Sequence, residues 1–106
     1  QLDVLERQLA DNTYVSGEEF TIADMAIWPW YGGLVIFNQY EAQEFIDARS
    51  YTNVARWAEA IHARAAVQRG RMVNRVRGEP HEQLPERHDA GDFHTKTQDK
   101  VDAGVE

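Results

Sequence analysis

A chain of 106 residues with 42% hydrophobic and 27% charged residues is long enough for one globular domain with its own core. The net charge of −7 argues against general nucleic-acid binding, and the lack of cysteine excludes disulfides, thiolate nucleophiles and cysteine-based metal sites within the chain. The longest uncharged run, residues 25–40, is shorter than the roughly 20 residues needed to span a bilayer. With no targeting signal apparent, we predict no membrane partner and a cytoplasmic location.

The chain opens in an amphipathic pattern. Leu2, Leu5 and Leu9 have the spacing of one helical face, and charged residues occupy the opposite face. Turn-forming residues follow at 11–19. Because the helical pattern begins at the first residue and no initiating methionine is present, we expect the chain to be a fragment of a longer protein.

The next segment begins with a strong helix-start signal. Thr21 is expected to be the N-cap, and the Asp24 carboxylate can reach back to the Thr21 backbone N–H, which makes a capping box. Phe20 and Met25 flank this cap at the spacing of a hydrophobic staple. Local sequence alone therefore predicts where this helix begins.

The helix that follows is almost entirely apolar. Between residues 22 and 37 Asp24 is the only charged residue, so the pattern predicts a helix buried on all sides, with the other helices packed around it. Pro29 lies inside the helix and removes one backbone hydrogen bond, so we expect a kink there.

Two further helices are predicted downstream. The first is amphipathic, with Thr52 or Asn53 as its N-cap, and its apolar face comprises Val54, Trp57, Ala58 and Ile61. A short helical segment follows at residues 65–70. The sequence thus predicts an all-α domain over residues 1–77.

The composition changes after residue 77. Large apolar residues become sparse and helix-breaking glycine and proline recur, so residues 78–106 are predicted to form an extended or disordered C-terminal arm.

The segment TIADMA followed by IWPWY, residues 21–31, resembles the central helix of the all-α C-terminal domain of glutathione transferases. The Trp-Pro-Trp motif within this segment is similar to that of the bacterial nu class of glutathione transferases. Members of this class resemble disulfide-bond reductases. Residues 57–72 resemble the paired helices that close this domain, and residues 82–93 resemble the nu-class C-terminal extension. The resemblance implies a helical bundle around a central capped helix, with an extended C-terminal arm.

The same resemblance implies a function for the longer protein. It implies an N-terminal thioredoxin-fold domain that binds glutathione as co-substrate, a homodimer, and a small-molecule disulfide or electrophile as second substrate. Because the glutathione-binding motif belongs to the missing domain, no catalytic residue is expected in this chain. The alternative is a non-catalytic structural or assembly module built on the same helical domain.

The aromatic residues Trp28, Trp30 and Tyr31 are the candidate substrate-binding residues. They either pack in the core, as side chains of a buried helix usually do, or line an apolar pocket for the second substrate. Positions two apart on a regular helix lie about 160° from each other, so Trp28 and Trp30 are expected to face different surroundings. The hydroxyl of Tyr31 is the group best suited to reach a pocket.

Two charged clusters receive simpler interpretations. The first is read as a solvated basic face paired with the acidic tail, rather than as an anion site; it comprises Arg64, Arg69, Arg71, Arg75 and Arg77. The second matches no metal-binding spacing, so no metal is predicted; it comprises His88, Asp89, Asp92 and His94.

Overall fold

Four α-helices form the framework of the chain in a computed structural model that describes residues 1–84. They are α1 (Leu2–Ala10), α2 (Ile22–Ile36), α3 (Thr52–His62) and α4 (Ala65–Gly70). Three short 3-10 helices accompany them, at Gln39–Glu41, Ala48–Ser50 and Pro80–Glu82. The β-structure of this described part is limited to two isolated bridges, so the all-α fold class is confirmed. The chain divides into two compact units, 1–63 and 64–106.

The first unit has its core where α3 packs against both α1 and α2. The most buried hydrophobic side chains belong to α3, since Val54, Trp57 and Ala58 are fully inaccessible. The predicted apolar face of this helix is therefore the face that forms the core. The other hydrophobic core residues are Leu5, Leu9, Trp28, Val35, Ala48 and Ile61.

Helix α2 begins at a capping box. The Thr21 hydroxyl oxygen accepts a hydrogen bond from the backbone N–H of Ala23 at 3.3 Å, and the Asp24 carboxylate accepts one from the backbone N–H of Thr21 at 2.9 Å. The Phe20 ring lies edge-on to Tyr14, with their centroids 5.8 Å apart, while the Met25 side chain is more than half exposed. The cap thus has its reciprocal hydrogen bonds, and Phe20 packs on the preceding turn.

The burial of α2 differs from the sequence-based expectation. One face is buried through Asp24, Trp28 and Val35, but Ile22 and Trp30 are 81% and 74% exposed. The sequence predicted burial on every side because the helix is apolar on every side. Within the described residues α3 and the 3-10 helices at Gln39–Glu41 and Ala48–Ser50 pack against α2 and cover only part of its circumference, and the remaining apolar surface faces outward.

Helices α1 and α3 cap each other. The Glu6 carboxylate on α1 accepts hydrogen bonds from the backbone N–H groups of Asn53 and Val54 at 2.9 and 2.8 Å. The Arg56 guanidinium on α3 donates to the carbonyl groups of Leu9 and Asn12 at 3.0 and 3.2 Å. Each helix end therefore meets the charge that its dipole favours.

This arrangement corrects the predicted cap of α3. Thr52 and Asn53 were both candidates for the N-cap, but Tyr51 occupies that position and its side chain makes no capping hydrogen bond. Glu6 already supplies carboxylate oxygens to the free N–H groups of this helix end. A residue distant in sequence has replaced the local cap.

The second unit begins with α4, as the sequence predicted for residues 65–70. After it, the chain returns on itself: Asn74 N–H donates to the Leu84 carbonyl at 2.7 Å, and Leu84 N–H donates to the Met72 carbonyl at 2.9 Å. The predicted boundary after residue 77 falls within this unit. Of the predicted C-terminal arm, residues 85–106 lie outside the described residues, as do the four residues from His88 to His94 considered for a metal. Over 1–84, no helix combines the length and apolar character that a membrane span needs.

Candidate functional site

An open apolar groove lies between α1 and α2, with a cavity of about 590 Å³. We call it the α1–α2 groove. On the α1 side, the lining residues Gln1, Val4, Leu5 and Gln8 are separated by one or two helical turns. One face of α1 therefore points into the groove. The full lining is Gln1, Val4, Leu5, Arg7, Gln8, Val15, Ile27 and Tyr31.

Polar side chains mark the two ends of the groove. At one end the Tyr31 hydroxyl forms a hydrogen bond with the Gln1 side-chain oxygen, which joins α2 to the start of α1. Two turns further along α1, the Gln8 amide donates to the Val15 carbonyl at 2.8 Å. The Arg7 side chain adds a positive charge at the groove and donates to the Asp3 carbonyl at 3.3 Å. The groove is thus apolar along its length and polar at its ends.

The three aromatic residues singled out from the sequence lie in three different surroundings. Tyr31 lines the α1–α2 groove. Trp28 is 7% exposed and donates its indole N–H to the Ala58 carbonyl at 3.0 Å, so it joins α2 to α3 within the core. Trp30 is on the exposed face of α2. The structure does not bring the three together in one pocket, and only Tyr31 is among the groove residues.

Behind the groove, the buried carboxylate of Asp24 holds three chain segments in place. It accepts hydrogen bonds from the backbone N–H of Val15 at 3.0 Å and from the indole N–H of Trp57 at 2.8 Å, in addition to that of Thr21. Burial by itself raises the pKa of Asp24, but these donors outweigh it and the net pKa is lowered. Asp24 thereby fixes the position of Val15 in the groove wall.

The Glu6 carboxylate has similar electrostatics. Desolvation raises its pKa, but the donors at the start of α3, the N–H groups of Asn53 and Val54, lower it by more, so the net pKa falls below the ordinary value. Both carboxylates are therefore held ionised as acceptors. Both carboxylates accept hydrogen bonds that stabilise the fold, so neither carboxylate is available as a proton acceptor in the groove.

The chemistry available in the groove is binding rather than covalent catalysis. Its apolar side chains can contact a small organic molecule, and the Tyr31 hydroxyl and Arg7 guanidinium can orient polar or anionic groups on it. The chain contains no cysteine, so it cannot supply a thiol nucleophile of its own.

The arginine residues of the first charged cluster are not among the residues that line this groove. In the second unit, burial and the neighbouring positive charges of Arg75 and Arg77 lower the pKa of Arg71. Among residues 1–84, no group of three or more histidine, aspartate and glutamate side chains is placed to hold a metal ion.

Sequence reasoning missed most of the groove. Gln1, Val4 and Gln8 share one helical face, but a helical face gives no sign of whether it meets the core or an open cavity. Val15 lies in a turn, and only its hydrogen bonds to Gln8 and Asp24 reveal its place in the wall.

Comparison with known proteins decides the family. The model of the glutathione S-transferase C-terminal domain matches residues 1–60, which is more than half of the chain. The chain belongs to the glutathione S-transferase C-terminal domain family. The match includes α1, α2 and most of α3, and with them every residue that lines the groove.

Individual relatives agree with this assignment. The chain is 59% identical over 99 residues to the disulfide-bond oxidoreductase YghU of Escherichia coli, covering 93% of this chain and 34% of that protein. It is 44% identical over 75 residues to a GST-like protein of Streptococcus mutans, covering 70% of this chain and 28% of that protein. The chain therefore spans about a third of the length of the curated relatives that it matches.

A solved structure also resembles the chain. The crystal structure of glutathione transferase YghU from Streptococcus pneumoniae, complexed with glutathione, matches it with a TM-score of 0.58 and 46% sequence identity. The match covers 66% of this chain and 27% of that one. This structural similarity, at 46% sequence identity, agrees with the family assignment made from the sequence match to residues 1–60.

Proposed function

We propose that this chain is the C-terminal part of a glutathione-dependent disulfide-bond oxidoreductase. The observation that carries the proposal is the 59% identity to the Escherichia coli disulfide-bond oxidoreductase YghU over 93% of the chain. The glutathione in the Streptococcus pneumoniae YghU crystal structure supports glutathione as the co-substrate. In this proposal the remainder of the protein includes an N-terminal thioredoxin-fold domain that binds glutathione, and the full-length protein is a homodimer.

The reaction consumes two molecules of reduced glutathione for each disulfide. The thiolate of the first attacks one sulfur of the substrate disulfide, forms a mixed disulfide and releases one thiol after protonation. The thiolate of the second attacks the glutathione sulfur of the mixed disulfide, which yields glutathione disulfide and the second thiol. Both electrons come from glutathione, so the absence of cysteine from this chain is compatible with the reaction.

In this reaction the chain would contribute binding and scaffold. The α1–α2 groove offers apolar contacts for a small-molecule disulfide, and the Tyr31 hydroxyl is the polar group at its Gln1 end. Asp24 and Trp57 keep the wall in place through hydrogen bonds buried behind it. The groups that lower the pKa of the glutathione thiol would belong to the N-terminal domain.

The proposal is tested on the full-length protein with immobilised glutathione and with a small disulfide such as 2-hydroxyethyl disulfide. We expect retention on the column, elution by free glutathione, and glutathione-dependent reduction of the disulfide. A protein that is neither retained nor active with reduced glutathione would instead fit the non-catalytic module.

A further inference from the structure

Arg7 carries the only charged side chain among the described residues that line the α1–α2 groove. The other lining side chains are apolar or carry neutral polar groups, so no carboxylate in this lining offsets the positive charge of the guanidinium. The groove therefore presents an apolar surface beside a single positive charge, a combination that favours an organic anion with an apolar body.

One hydrogen bond orients the Arg7 guanidinium along α1. Its Nε–H donates to the Asp3 carbonyl, one turn earlier, at 3.3 Å. This is the direction in which long side chains on a helix lean. Within residues 1–84 the two terminal nitrogens of Arg7 make no hydrogen bond or ion pair. They hold four N–H groups in a planar fork, which matches the two oxygens of a carboxylate.

Two acidic residues lie one helical turn from Arg7, at the i−4 and i+4 positions where ion pairs form on a helix. Asp11 lies away from the guanidinium, because the Arg7 side chain is directed toward the start of α1. The Asp3 carboxylate accepts a hydrogen bond from the Tyr51 hydroxyl, and burial together with this hydrogen bond raises the pKa of Tyr51. The charge of Arg7 is therefore left for a ligand of the groove.

We propose that Arg7 makes this site selective for disulfides that carry a carboxylate. In this arrangement the terminal nitrogens of Arg7 bind the carboxylate, and the chain that leads to the disulfide lies along Val4 and Ile27. The groove volume of about 590 Å³ is within the range of about 300–1,000 Å³ for small-ligand sites. The inference rests on the proposed function, since it takes the groove as the site of the disulfide substrate.

Disulfides of other charge fit the groove less well. A cationic disulfide would be repelled by the like charge of Arg7. A neutral disulfide with hydroxyl ends would accept only an ordinary hydrogen bond, which is weaker than the charge-assisted bond to a carboxylate. Because the Arg7 side chain is exposed to solvent, we expect the charge to change relative specificity by about fivefold.

The test compares three disulfides of similar length on the full-length protein: the anionic dithiodipropionate, the neutral 2-hydroxyethyl disulfide and the cationic cystamine. Each charged substrate is scored by its kcat/KM relative to that of the neutral one, so that effects common to all three cancel. In Arg7→Gln we expect the relative kcat/KM of dithiodipropionate to fall by about fivefold through KM, and that of cystamine to rise. Arg7→Lys keeps the charge but lacks the fork, so its values should lie between those of wild type and Arg7→Gln.

Arg49→Gln is the matched control, because it removes the same charge from an exposed side chain that does not line the groove. Both relative values should be unchanged in this variant. A relative value for dithiodipropionate that is unchanged in Arg7→Gln, or lowered equally in Arg49→Gln, would overturn the inference while the proposed function stands. Equal loss of activity toward all three disulfides in Arg7→Gln would show a structural role and also overturn it. A wild-type protein that reduces none of the three would overturn the proposed function, and this inference with it.

Discussion

Trp57 donates its indole N–H to the carboxylate of Asp24 at 2.8 Å, and both side chains are fully buried. This hydrogen bond joins the first turn of α2 to the middle of α3. Through Val15 the same carboxylate also fixes the turn that precedes α2. One ionised side chain thus connects the helix start, the groove wall and the core.

The substitution Asp24→Asn should lower the free energy of unfolding of the full-length protein by about 1–3 kcal/mol. This is the cost of leaving a buried polar group without a hydrogen-bond partner. Asparagine keeps the shape, but its amide group would face either the Thr21 N–H or the N–H groups of Val15 and Trp57, a donor against donors. Urea unfolding measures the loss. The control is Asp11→Asn at an exposed position, for which we expect a change within about 0.5 kcal/mol. Equal stability of the two variants would contradict the role given to Asp24.

Adjacent glycines in α2 should respond oppositely to alanine. A Cβ at position 32 would lie 2.6 Å from the indole nitrogen of Trp28, a rigid ring anchored in the core by Ala58. Gly32→Ala should therefore cost about 1–3 kcal/mol through overpacking. A Cβ at position 33 meets only the end of the flexible Gln39 side chain, so Gly33→Ala should be neutral or gain up to about 1 kcal/mol from helix propensity.

The pair is compared by thermal and urea unfolding of the full-length protein. A larger loss for Gly33→Ala than for Gly32→Ala would show that Trp28 is not fixed against α2 as described.

Acid should weaken the fold through Asp24 and Glu6. Both have pKa values below their ordinary values of 3.8 and 4.5, because hydrogen-bond donors favour their ionised forms. A lowered folded-state pKa means that the unfolded chain binds protons first as the pH falls. The stability that these groups contribute is therefore present above pH 4.5 and is lost as the pH falls through their folded pKa values.

Urea titrations at a series of pH values from 7 to 3 measure this loss. The double variant Asp24→Asn and Glu6→Gln should start less stable at pH 7 and lose less stability over the acid range. An unchanged pH dependence in the double variant would assign the acid sensitivity to other carboxylates.

Tyr31 provides a test of the groove. If the groove holds the disulfide substrate, Tyr31→Phe removes the hydroxyl while keeping the ring, and Tyr31→Ala removes the apolar wall as well. In the full-length protein we expect KM for the disulfide to rise severalfold in Tyr31→Phe and further in Tyr31→Ala, with KM for glutathione unchanged. Equal changes in both KM values, or none, would argue against substrate binding in the groove.

The fold was predictable where its determinants are local. The capping box of α2 spans four residues, and the amphipathic pattern of α3 repeats within three turns, so both helices could be placed from sequence. The cap of α3 was not predictable, because its acceptor is Glu6, 47 residues before Asn53. The local candidates gave a plausible but wrong answer.

The candidate site was largely hidden from sequence for the same reason. Tyr31 meets Gln1 across 30 residues, and Trp57 meets Asp24 across 33. Apolar periodicity identifies a helical face but does not tell which surface covers it, so the apolar sequence of α2 predicts burial on a side that is exposed. The family resemblance came from the residues of α2, and the proposed activity rests on relatives about three times as long as the matched segment.

The most direct test of the central claim is the rate at which the full-length protein reduces 2-hydroxyethyl disulfide with reduced glutathione. Glutathione disulfide formation is followed through NADPH consumption by added glutathione reductase. We predict a rate that is proportional to enzyme, far above the uncatalysed exchange, and that consumes one NADPH for each disulfide reduced. A rate no faster than the enzyme-free reaction, from protein shown to be folded, would contradict the account.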